Sequence, residues 1–159
     1  PNNTANWISN TAISDLVNAI NARHVLMVVD SCYAGTPTRS AVQNLRPAMT
    51  VAEQLQWTRQ RVAKRARLVL TYGGVAPVLD EGNNGHSVFA GALLDALRQT
   101  NQITASRDLY QAVAARVTHA AADFAFDQLP EYAPLRFAGH EAGEFFLVPQ
   151  PASRPRLAP

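Results

Sequence analysis

HVLMVVDSC, residues 24–32, sets five consecutive apolar residues, Val25 to Val29, directly before an aspartate. A run without polar alternation is what a strand covered on both faces requires, so it reads as an interior strand of a parallel sheet. Just upstream, residues 11–22 (TAISDLVNAINA) place Ile13, Leu16, Val17 and Ile20 at spacings of three and four, the period of an amphipathic helix starting near Thr11 or Ser14. Just downstream, Gly35, Thr36, Pro37 and Thr38 end regular structure.

Farther out the alternation of helix and strand repeats. Residues 50–66 read as a surface helix, with Thr50 and Glu53 in capping-box register and only Val51, Leu55 and Val62 as sparse apolar positions. RLVLTYGG, residues 67–74, is a second strand running into a glycine turn, and Val75 to Gly85 reads as a long exposed loop. His86 or Ser87 starts a helix whose stripe is Phe89, Leu93, Leu94 and Leu97, and a further alanine-rich helix covers about 106–124. Residues 127–139 hold two prolines and a glycine and read mostly as loop, before GEFFLVP gives a short final strand stopped by Pro149. Residues 150–159 are a proline-rich tail or linker. The expected architecture is a doubly wound α/β layer, whose sites form at the carboxyl ends of the strands.

Composition narrows the function classes. With 159 residues, 47% apolar and 16% charged, the chain can bury the core of one domain, and neither disorder nor a fibrous repeat is indicated. A net charge of +2, spread thinly, argues against a nucleic-acid partner. No apolar run reaches the ~18 residues of a membrane helix, so no membrane partner is expected. One cysteine cannot form an internal disulfide, so the fold needs no oxidising compartment; the cytoplasm is favoured and the compartment otherwise open. The opening Pro-Asn-Asn-Thr is not how a translated protein starts, so upstream sequence is expected to be missing.

Cys32 lies two residues past the first strand, where the chain turns at Ala34-Gly35 and small neighbours leave room for a substrate carbonyl. A lone cysteine at a strand end is otherwise a small core hydrophobe. VVDSCYAG, residues 28–35, resembles the cysteine block of the caspase-like peptidases, including metacaspases and their bacterial relatives. LVLTYGGVAPVLDEGNNGHSVFAGALLDAL is similar to that family's next strand, substrate-wall loop and helix, and PEYAPLRFAGHEAGEFFLVP to its closing segment, so the likeness spans about residues 12–149. Tyr72 departs from the small residue of that family between Thr71 and Gly73, at a position adjoining a substrate subsite.

The resemblance implies a caspase-hemoglobinase type α/β sheet flanked by helices, here the C-terminal part of the domain over residues 1–149 and incomplete at its amino end. It implies a cysteine endopeptidase working by a Cys–His dyad, with Cys32 as nucleophile, the Cys32 backbone N–H and the Gly35 turn at the oxyanion, and a peptide or protein as substrate. Asp30, Tyr72, Gly73 and Asp80 would line the substrate site, and Asp30 would favour Arg or Lys at the cleaved position. No metal or cofactor is implied. In caspases the histidine lies about fifty residues before the cysteine, whereas 31 residues precede Cys32 here. The missing amino-terminal part of the same domain is therefore the expected partner, and this chain alone should be inactive.

The other histidines are also candidate bases. His24 opens a seven-residue strand roughly 23 Å long at ~3.3 Å per residue and so lies at the opposite end from the cysteine, too far for a dyad. His86 follows the cysteine in sequence, as the base of papain-like enzymes does, and leaves a Cys32–His86 hydrolase as an alternative. His119 and His140 read as packing or surface residues, and their spacings suit no metal site. Asp80, Glu81, Asn83 and Asn84 crowd one loop but lack the order of a calcium loop. A non-catalytic caspase-like interaction module is the remaining alternative; Asp30, Cys32 and Gly35 together disfavour it.

Overall fold

The computed structural model describes residues 8–30, 48–72, 85–121 and 130–150. They form a mixed α/β fold with the order α1 (Asn10–Ala19), β1 (His24–Asp30), α2 (Val51–Val62), β2 (Ala66–Tyr72), α3 (Val88–Arg98), β3 (Thr104–Ala105), α4 (Ser106–Ala121), β4 (Glu131–Pro134) and β5 (Phe146–Leu147). The main sheet runs β1-β2-β4; β1 and β2 are parallel, in register from His24 opposite Ala66 to Asp30 opposite Tyr72, and β4 is antiparallel to β2. β3 and β5 make a separate antiparallel pair.

β2 occupies the middle and every one of its residues is buried. Strand alternation divides its side chains between two layers. Leu68, Leu70 and Tyr72 meet Phe89, Ala92 and Ala96 of α3 and Leu109, Val113 and Val117 of α4. Val69 turns the other way, into a smaller cluster with Val17 of α1, Leu135 and Ala138. α3 buries alanines at its closest approach and leaves Leu93 and Leu97 half-covered, since small residues let it draw close to the core. α2 buries no residue; its capping box forms, with Glu53 N–H donating to Thr50 Oγ1 at 3.3 Å and Thr50 N–H to Glu53 Oε2 at 2.7 Å. It is tied down by the Trp57 ring, edge-on to Phe146 at 5.8 Å, and by Arg61 Nη1 donating to the Ala142 carbonyl at 2.6 Å.

The buried Arg67 joins the layers. Its five N–H groups donate to five carbonyls: Nε to Val17, Nη1 to Arg23 and Ala66, Nη2 to Ile20 and Ala22, at 2.8–3.1 Å. These oxygens include ones left open where α1 ends, and a cation is favoured there. Arg65 Nη2 adds a bond to the Asn18 carbonyl at 2.5 Å.

Several expectations are corrected. Among the described residues β1 pairs only with β2, not on both sides as an interior strand would, and Val28 is 42% exposed. α1 ends at Ala19, and of its expected stripe only Val17 is fully buried, whereas Leu16 and Ile20 lie exposed. The segment expected as loop over 127–139 contains β4, in which Tyr132 and Ala133 are buried. Pro130 and Pro134 hid it, yet proline is tolerated in an edge strand because one side of the backbone need not donate. The final strand is two residues long and pairs with β3 rather than joining the main sheet.

Candidate functional site

The carboxyl ends of β1 and β2 lie side by side, so register alone sets Asp30 opposite Tyr72. Paired positions on parallel strands project to the same face, here the one covered by α3. The Tyr72 ring, 1% exposed, stacks on Phe89 of the first turn of α3 at 5.4 Å and 7°. Its hydroxyl is buried with no hydrogen-bond partner among the described residues, and burial, then the negative charge of Asp30, pushes its pKa up. Tyr72 therefore backs the site from within the core.

Asp30 is exposed. Ser87 holds it. The Ser87 hydroxyl caps α3 by accepting from Ala90 N–H at 2.9 Å, and its own proton is donated to Asp30 Oδ2 at 2.5 Å. A hydroxyl has one proton, so the two bonds fix its direction. The bond to a carboxylate is charge-assisted and the stronger for it.

Cys32, Gly35, Gly73 and Asp80 lie outside the described residues. His86 is exposed beside Ser87, at the rim of a cavity of about 490 Å³ that also borders Gly91, Asp95, Arg98 and Arg116. The charges in that cavity are engaged with neighbours: Arg98 with Asp95 at 3.0 Å, Arg116 with Gln99. His24 is at the amino end of β1, its Nε2 within 3.0 and 3.1 Å of the Val62 and Lys64 carbonyls, on the opposite end of the sheet from Asp30. His140 is also at that far end, with Nδ1 accepting from Arg67 N–H at 3.1 Å. Among the described residues no three His, Cys, Asp or Glu side chains group as metal ligands, and no helix is long and apolar enough to cross a membrane.

Ser87 was legible as a helix start but not as a partner of Asp30. Its helix-capping role follows from neighbours in sequence; the contact to Asp30 spans 57 residues and depends on where the sheet carries β1. No family model matches the chain, and neither a curated protein nor a solved structure does.

Proposed function

We propose that the chain is the cysteine-bearing part of a caspase-like cysteine endopeptidase of caspase-hemoglobinase type, cleaving after Arg or Lys, with its histidine base contributed from outside this chain. The observation that carries the reading is the parallel β1–β2 pair, whose adjacent carboxyl ends present Asp30 beside Tyr72 and lead into Ser31 and Cys32. Open α/β sheets build their sites at such ends. The exposed Asp30 carboxylate, held by Ser87, suits a cationic side chain of the substrate. In the proposed reaction the imidazole takes the Cys32 proton, sulfur adds to the scissile carbonyl carbon, and backbone N–H groups hold the resulting oxyanion. Collapse expels the amine, protonated by the same imidazole, and water then hydrolyses the thioester.

Among the described residues β1 pairs only with β2, and its other edge supports a place for the proposed remainder of the domain. Its apolar run carries no lysine, proline or bulge, the usual protections of an edge strand, and is suited to another strand alongside. That is the proposed seat of the remainder of the domain, with the histidine.

The test is turnover of fluorogenic peptides ending in Arg, Lys or Asp by the full-length protein and its Cys32→Ala variant. Cleavage after Arg or Lys is expected, lost on substitution. The 159-residue chain alone should show none, because an unassisted thiol with a pKa of ~8.5 is mostly protonated at neutral pH. Cysteine-dependent turnover by the chain alone, or a preference for Asp, would overturn the reading.

A further inference from the structure

We propose that Ser87 is a positioning residue for specificity, locking the Asp30 carboxylate in the rotamer that receives a cationic substrate side chain; this rests on the peptidase reading above. An exposed aspartate at a strand end is otherwise free to swing between rotamers, and each binding event would have to freeze it. Ser87 removes that cost in advance. Its acceptor side is committed to Ala90 N–H, so its proton has one destination, Asp30 Oδ2, while Oδ1 makes no hydrogen bond among the described residues. The clamp is itself anchored: Ser87 is the N-cap of α3, the first turn of α3 carries Phe89, and Phe89 is stacked on the strand partner of Asp30, Tyr72. The amino end of α3 also sets a partial positive charge beside the carboxylate. Carboxylate, hydroxyl, helix and strand thus make a closed mechanical loop that fixes the direction of the carboxylate. A pre-set carboxylate discriminates better than a mobile one, since a cation gains the whole interaction and a neutral side chain none.

The experiment compares, in the full-length protein, the ratio of kcat/KM for paired peptides with Arg or Gln at the cleaved position. Ser87→Gly removes the hydroxyl, while glycine remains an acceptable N-cap, so thermal stability should stay near wild type. The ratio should fall roughly tenfold, chiefly through KM for the Arg peptide, the scale of one charge-assisted hydrogen bond. Ser87→Thr should restore it. In an Asp30→Asn background Ser87→Gly should change the ratio no further, a coupling that a merely structural role would not produce. Wild-type selectivity in a folded Ser87→Gly protein, or the same drop with Asp30→Asn already present, overturns the positioning role alone. No cleavage by the wild type, or no preference for Arg, overturns the peptidase reading and this role with it.

Discussion

Arg67 Nε donates to the Val17 carbonyl at 3.1 Å, across 50 residues of sequence, and so fastens the end of α1 to the central strand. Among the described residues no carboxylate pairs with this guanidinium and its hydrogen bonds all go to backbone oxygens; burial, then Arg65, lowers its pKa from the usual arginine value. Substituting methionine keeps the volume and withdraws a donor from five carbonyls, of which Val17 and Arg23 keep a backbone N–H and Ile20 the Arg65 guanidinium. Arg67→Met should cost at least about 3 kcal/mol in urea denaturation of the protein. Lysine keeps the charge but has three donors for five acceptors, so Arg67→Lys should recover only part of the loss. Equal stability of Arg67→Met and wild type would remove the staple.

Gly143 lies against the start of β2, where its N–H donates to the Arg65 carbonyl at 3.2 Å. A Cβ there would sit 2.3 Å from the Lys64 carbonyl oxygen and 2.7 Å from the Arg65 carbonyl carbon, both backbone atoms that cannot move aside. Gly143→Ala should therefore destabilise by about 1–3 kcal/mol. A melting temperature unchanged by the substitution would show that the segment docks elsewhere.

His140 gives a pH dependence with a definite sign. Its Nδ1 accepts from Arg67 N–H, a role open only to the unprotonated nitrogen. Burial, opposed by Glu144 and Glu141 and aided by Arg61 and Arg67, lowers its pKa below the ordinary 6.5. In the window below 6.5 and above the folded value, the unfolded chain takes up a proton that the native one does not, so stability falls as pH falls. His140→Gln keeps an acceptor and cannot titrate. Its melting temperature should decline less than wild type between about pH 7 and 5; parallel declines would place the titration on other groups.

Among the described residues one edge of β1 is unpaired, which predicts self-association when the chain is produced by itself. Val28 is 42% exposed on a strand with no charge between His24 and Asp30. Strand edges of this kind add to other strands. Sedimentation or size-exclusion should show concentration-dependent oligomers, and Val28→Lys should shift them toward monomer. Monodisperse monomer in the wild type would show the edge to be covered.

Much of the core was legible. Residues 67–72 read as a strand and lie wholly inside β2, which begins one residue earlier at Ala66. The Thr50 and Glu53 spacing named a capping box that forms. β4 escaped notice because Pro130 and Pro134 bracket Tyr132 and Ala133, and proline disqualifies a central strand while an edge strand tolerates it. Arg67 was invisible for the opposite reason: a charged residue opening a strand reads as exposed, and only the carbonyls brought over from α1 make its burial affordable.

What the sequence by itself determined is the local pattern: strands at 24–30 and 67–72, helices begun by Thr50 and Ser87, and the nearness of Asp30 to Cys32 along the chain. Periodicity and capping depend on residues within about four positions, and those are present in any reading of the chain. Tertiary structure alone decided that β1 pairs with β2 in parallel, that Tyr72 is buried rather than surface, and that the proton of Ser87 goes to Asp30. Each of these joins segments far apart in sequence, and their meeting depends on which faces the sheet and helices must bury together, a condition that no short stretch of residues contains.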